Sequence, residues 1–448
     1  MKKYLAIVSI IFIASYFLLS SQLSNLKNLK VFNLISNDQK TLIYKYFFPY
    51  KYIKVLQNKI NTINLLPEMN TIDRAEYIRF EGPKNFKIFD QITELNLLTN
   101  FGNLTSGIEN NTPGSAYLDF NNEQLFLISS RGLVAYSDNF DVDETVRFKV
   151  VSNNIRTFIN EKQFSKNKWY SIKDLTIIDD SIYISYTKEL KPDCWNTSVL
   201  VSKIDLKNLE FKELFSPDYC IKKKNEENSF NAHQSGGRIV NYDNKNIILS
   251  IGEYRSRYKA QEDDNVFGKI ILINKSSGKY KIISKGHRNP QGLLYDKKND
   301  FIVSSEHGPF GGDEINLNLN PSSKISNYGW PISSYGEHYR REIKKNSKVY
   351  EKYPLNKSHS DFGFVEPLHY FVPSIGISEI IQFKKNKFIV SSMKERSIYT
   401  FEINNNYELE NLKKIYVGER IRDMIYNENQ KMLLMFLENT ASIGVLKF

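Results

Sequence analysis

Cysteine, histidine and tryptophan are scarce in this chain, and no block of like charge stands out. Two cysteines, six histidines and three tryptophans among 448 residues leave no zinc-ligand spacing. The formal charge of +11 is dispersed as single lysines among Asn, Ser and Ile. There is no Arg-rich arm and no helix-turn-helix signal, so nucleic acid drops out as a leading partner. A solvated surface accounts for most of these cations, and an anionic ligand in one pocket needs only a few. Cys194 and Cys220 either close a disulfide across a strand-and-loop excursion or remain two unpaired thiols, one of them buried. Export favours the bridge.

What is present is globular composition, 41% hydrophobic against 25% charged, enough for one large β domain or two or three ordinary ones. Lys2 and Lys3 precede LAIVSIIFIASYFLLSS (5–21), a charged n-region followed by an apolar run. That pattern is an export signal or a signal-anchor, short for a full span and long for a cleaved h-region. SSQLS is a poor cleavage site, so residues 1–24 are read as a signal peptide or retained anchor. The expected location is the periplasm, tethered to the inner membrane or secreted after cleavage.

From residue 116 onward one unit recurs: an apolar strand, an Asp/Asn/Lys turn, an alternating strand and a small-residue end. Its copies are 116–132, 172–187, 236–253, 290–308, 378–395 and 421–439. In each, period-two apolar residues flank a polar turn. Further strand-rich connections at 199–208, 268–283 and 397–403 suggest about four strands per unit. The expected fold is therefore all-β, a six-bladed β-propeller over 110–448, with a large β-sandwich as the alternative. Residues 25–109 fit the repeat poorly and are read as an N-terminal extension, partly helical around 37–63. The insertion 310–377, containing SNYGWPISSYGEHY (326–339), breaks the spacing, and long excursions on a rigid scaffold are often where ligands are met.

In an antiparallel hairpin, the residue entering the first strand and the residue leaving the second lie at one sheet edge. His233, Arg288 and Asn289 enter hairpins, as do Asp174, Arg420 and Arg422. Glu253, Arg255, Gly308, Pro309 and Lys394 leave them. If the hairpins are equivalent, all gather on one face around the axis. Arg288, Lys394, Arg420 and Arg422 would repel one another there unless an anion sits among them. The expected ligand carries several carboxylates or phosphates.

GHRNPQG (286–292), SEHGPFGGDEIN (305–316), NYGWP (327–331), HQSGGRIV (233–240), the lysine of SSMKERS (391–397) and RIRDM (420–424) resemble the glucose/sorbosone dehydrogenase family over roughly residues 110–448. These are soluble aldose sugar dehydrogenases that use pyrroloquinoline quinone (PQQ) on a six-bladed propeller. The resemblance implies PQQ held by Arg288, Asn289, Lys394, Arg420 and Arg422, and Ca²⁺ on the backbone carbonyls of Gly308 and Pro309. It implies His233 as the base that takes the anomeric hydroxyl proton while hydride passes to the quinone, and Glu253 as the residue that orients it. The product is a lactone; electrons would leave to a quinone or small redox carrier. The chain departs from the family in having Glu253 where an Asp is usual, and in showing no cofactor-contacting glutamine in KWYSIKD (168–174). Two alternatives stand beside this reading: a non-catalytic propeller acting as a binding module, and a calcium-dependent lactonase or other hydrolase. The last would want more carboxylates at the predicted edge.

Overall fold

A computed structural model of the chain describes residues 71–75, 77–79, 85–98, 115–140, 146–159, 163, 170–225, 227, 229–339 and 347–448. The apolar segment 5–21 and the segment 37–63 expected to be helical lie outside these residues. Among the described residues, no helix is long and apolar enough to cross a membrane.

Six sheets of four or more strands form the blades. Their innermost strands are, in chain order, Ala116–Asn121, Ile172–Ile178, Gly236–Asn241, Pro290–Asp296, Ile377–Lys384 and Ile421–Asn427. Each pairs antiparallel with the strand that follows it, so the recurring sequence unit is the inner hairpin of a blade. The polar turns have a conformational reason. Asn122, Asp179, Asp300, Asn386 and Lys431 occupy five of the hairpin tips with φ between 47° and 61°, a region that Asn and Asp tolerate better than most residues. The inner strands contact one another in cyclic order, the sixth returning to the first, and the propeller is closed.

Apolar alternation on both faces of each blade has one destination. Six buried clusters lie between neighbouring blades; Leu127, Phe148, Leu434 and Val445 join the sixth to the first, for instance, and Val303, Phe388 and Phe401 the fourth to the fifth. The propeller starts earlier than the repeat suggested. Leu95–Leu98 pairs with the C-terminal strand Ser442–Lys447, and Tyr77–Arg79 lies outside it in the same sheet. Thr71–Ala75 forms the outer edge of the first blade. The boundary at residue 110 is thus corrected: these strands complete blades begun elsewhere, so they have no hairpin repeat of their own to reveal them. Cys194 and Cys220 form a disulfide in the second blade.

Five of the six inner strands begin with a register shift, at Ile172/Asp174, Gly236/Ile239, Pro290/Gly292, Ile377/Ile380 and Ile421/Asp423. The first blade pairs without one. A bulge adds one residue and re-aims its neighbours. Lys173, Gln291 and Arg422 are the extra residues of three bulges, and all three border the same cavity. The next position inward, counted from the partner strand, is Tyr117, Asp174, Arg238, Gly292, Glu379 and Asp423 around the ring. Arg238 there bonds Asp174 (2.6 Å), Asp423 (2.7 Å) and Glu379, and lies 5.5 Å from the centre of the Tyr117 ring. At the sixth position a side chain is forbidden, because a Cβ on Gly292 would meet the Ser305 hydroxyl and the Ser378 carbonyl at 2.5 Å. One arginine therefore ties three other blades at the axis.

Candidate active site

Above this axial cluster lies a cavity of about 1090 Å³. Arg288, Asn289, Lys394, Arg420, Arg422, Pro309 and His233, seven of the residues singled out from sequence, are on its wall. Gly308 is buried and not on the wall; its N–H donates to Asp313 at 3.0 Å. Glu253 borders an adjoining side pocket of about 370 Å³ that shares Gln234, Arg255, Arg288, Pro309 and Tyr339 with the cavity. Asp174, expected at this face, instead turns to Arg238 below it. The bulge explains the difference, since it sends Lys173 to the cavity and Asp174 to the axis.

Arg288 is the most supported side chain of the site. His287 beside it is buried, with Nδ1 2.8 Å from Glu306 and Nε2 2.8 Å from the Ser284 hydroxyl, and its ring stacks on Tyr328. The other Glu306 oxygen accepts the Arg288 backbone N–H. His287 is thus a structural residue that fixes the strand start from which Arg288 projects. The guanidinium donates to the His307 carbonyl at 2.7 Å and lies 5.4 Å and 5.5 Å from the ring centres of Trp330 and Tyr339. Both aromatics come from the insertion 310–377, whose described residues thus contribute to the wall around Arg288.

Gln234 was missed from sequence. With its amide oriented to satisfy both neighbours, it donates to Glu253 at 2.5 Å and accepts from Arg288 Nη2 at 2.6 Å. Glu253 is fully buried, its Oε2 accepts no hydrogen bond, and burial pushes its carboxyl up to about 7 against the pull of Arg288. Glu253 thus acts on Gln234 and Arg288, whereas the sequence reading directed it to His233. The longer reach of Glu over Asp allows this. His233 is exposed to the cavity, and its backbone N–H is held by Asn231 at 2.8 Å. The sequence hint for Gln234 was only its adjacency to His233.

Asn289 accepts from the Gly236 N–H (3.2 Å) and from Gln291 (2.9 Å), which leaves its amide nitrogen toward the cavity wall. Lys394 donates to the Ser374 carbonyl at 2.8 Å. Arg420 and Arg422 share Glu438, at 3.1 Å and 2.7 Å. Among the described residues of the cavity wall, Lys173, Arg255, Arg288, Lys394, Arg396, Arg420 and Arg422 face only Asp313 and Glu438 as acids. The Asp313 carboxylate is itself engaged by the backbone N–H groups of Gly308, Gly376 and Ile377. This surplus is felt by neighbours. Burial, then Arg422, pushes the Lys173 ammonium down to about 7. Burial, with Arg288, Arg422 and Arg420, lowers His307 against Asp313. A polyanion would relieve both.

No group of three or more His, Cys, Asp or Glu side chains suited to a metal occurs among the described residues. A cation here would depend on carbonyl oxygens. The Pro309 carbonyl meets the Ser374 hydroxyl only at 3.5 Å, which leaves it able to bind a hard ion.

A family model described as Glucose / Sorbosone dehydrogenase matches residues 178–444. The aldose sugar dehydrogenase YliI of Escherichia coli K12 is 28% identical over 211 residues, 42% of this chain and 53% of that protein. Quinoprotein glucose dehydrogenase B of Acinetobacter calcoaceticus is 50% identical over 129 residues, 22% of this chain and 26% of that one. The chain spans about half the length, or less, of the curated relatives it matches. Among solved structures, a glucose dehydrogenase superposes with a TM-score of 0.59 at 19% identity, over 77% of this chain and 98% of that one. The PQQ-bound aldose sugar dehydrogenase of Streptomyces coelicolor gives 0.56 at 16% identity, over 79% and 98%. At these identities the structural likeness speaks for the fold.

Proposed function

The chain belongs to the glucose/sorbosone dehydrogenase family, and on that premise we propose that it oxidises an aldose to its lactone with PQQ as the electron acceptor and Ca²⁺ as an auxiliary ion. The observation that carries this reading is the crowd of cations around one cavity, opposed by two acidic residues. PQQ, an ortho-quinone with three carboxylates, would supply a two-electron acceptor for the hydride released from the sugar's C1. Arg288, Arg420 and Arg422 would grip carboxylates with planar forks, Lys394 would add a point charge, and the Asn289 amide would donate.

The chain's own groups have separate tasks. His233, open to the cavity, would take the proton from the anomeric hydroxyl. Glu253 would act at one remove: through Gln234 it fixes the direction of the Arg288 guanidinium. Trp330 and Tyr339 would cover that guanidinium and keep water from it. The Pro309 carbonyl, with that of the buried Gly308 behind it, would offer oxygen to Ca²⁺, which would supply Lewis-acid polarisation of the quinone. We further propose that the protein works in the periplasm, held by its N-terminal segment, and passes electrons to a quinone or small redox carrier.

Purified protein reconstituted with PQQ and Ca²⁺ should retain quinone absorbance after gel filtration and reduce a dye when given an aldose. Absence of both retained absorbance and dye reduction overturns the proposal. N-terminal sequencing of mature protein tests the anchor.

A further inference from the structure

After the cofactor's four cations are set aside, Arg255 remains on the wall that the cavity and side pocket share. Among the described residues no carboxylate pairs with its guanidinium, whose aromatic contact is Tyr339 at 5.6 Å from the ring centre. Burial, followed by Arg288, lowers its pKa. An unpaired, half-buried guanidinium is costly unless a ligand completes it. The backbone beneath it is also unusual. Tyr254 and Arg255 are successive non-glycine residues in the left-handed region, with φ of 54° and 65°. The turn is held by the buried Tyr254, whose hydroxyl lies 2.7 Å from that of Thr197 and whose carbonyl accepts from Asn231 at 3.1 Å. Strain kept in place by packing is most common where it aims a functional group.

The side pocket itself is positive. Arg257, Lys348 and Lys352 join Arg255 and Arg288, while the acids present are Glu227 and Glu253. Glu227 is spoken for, by Arg257 at 2.5 Å and the Tyr353 hydroxyl at 2.6 Å. Burial favours the neutral form of the Glu253 carboxyl. The rings of Trp330, Tyr339 and Tyr353 line the same space, giving a sugar ring apolar faces to rest on.

Building on the sugar-oxidation reading, we propose that the preferred substrate is an acidic aldose. Its carboxylate or phosphate, remote from the anomeric carbon, is received by Arg255 while the anomeric end points into the main cavity. A neutral aldose leaves that guanidinium desolvated and unpaired.

The test compares D-glucuronate, glucose 6-phosphate and D-glucose as substrates of PQQ- and Ca²⁺-loaded protein, and measures their binding by calorimetry. At low ionic strength one of the two acidic sugars should exceed glucose by roughly tenfold or more in kcat/KM and in affinity. Which one does so names the anionic group. Arg255→Gln should erase most of that preference, chiefly through KM, and Arg255→Lys should restore part of it. Equal or better handling of glucose, or an acidic-sugar preference unchanged in Arg255→Gln, overturns the proposal. If no sugar is oxidised yet an acidic sugar binds in an Arg255-dependent way, the oxidation reading falls and this inference stands. If no acidic sugar binds more tightly than glucose, the inference falls whatever the turnover.

Discussion

Replacing Arg238 by Met should destabilise the propeller, and by an amount that depends on pH. Three carboxylates, Asp174, Glu379 and Asp423, surround one buried guanidinium. Burial pushes Asp174 up to about 7 and raises Glu379, while Arg238 pulls both down. A carboxyl whose pKa is higher folded than unfolded binds more protons in the native state, so Asp174 weakens the fold as pH climbs from about 4 to about 7. Without Arg238 that window extends further upward, and each added pKa unit in one carboxyl costs about 1.4 kcal/mol at high pH. Uncompensated buried charge after loss of one partner is worth about 3–5 kcal/mol. Arg238→Met should therefore lose about that much at pH 8. At pH 5, where Asp174 and Glu379 are largely protonated in the folded variant, the loss should shrink to about 1–2 kcal/mol. Urea unfolding at the two pH values, with m compared between variant and parent, reads the difference directly. A penalty under about 1 kcal/mol at pH 8, or one that is equal at both pH values, refutes the reasoning.

Lys173 should take up a proton when PQQ binds above pH 7, because its ammonium is pushed down to about 7 and a carboxylate restores its charge. Calorimetry at pH 8 in buffers of different ionisation enthalpy should show uptake of up to about one proton, absent in Lys173→Met. His233→Ala should keep PQQ absorbance and lose turnover by about 10²–10⁴-fold, the usual worth of a general base; equal loss of both would make His233 a binding residue. Reducing the bridge between Cys194 and Cys220, 26 positions apart, should cost about 3–4 kcal/mol of stability on loop-entropy grounds, read as a lower thermal midpoint in dithiothreitol.

The six inner hairpins were legible because their apolar residues alternate and four of their tips carry the Asn or Asp that a left-handed turn favours. The shared cavity was legible for a related reason: hairpin geometry alone puts Arg288, Lys394 and Arg420 at one edge. What escaped depends on register. A bulge shifts Lys173 to the cavity and Asp174 to the axis, yet IKD reads as ordinary alternation. The carboxylates around Arg238 come from three other blades, so no local pattern joins them. Leu95–Leu98 is too short to announce a strand, and its partner Ser442–Lys447 is at the far end of the chain. Gln234 meets Glu253 and Arg288 across the fold, and nothing in its local sequence beyond its place beside His233 marks those contacts.

The pairing of Leu95–Leu98 with Ser442–Lys447 also sets a clock on biosynthesis. At general rates of about 5–20 residues per second, the early segment emerges from the ribosome roughly 20–70 s before its partner exists. Through that interval it is an adhesive, unsatisfied edge that neighbouring nascent chains can template upon. Until Ser442–Lys447 is made, that side of Leu95–Leu98 has no partner within its sheet.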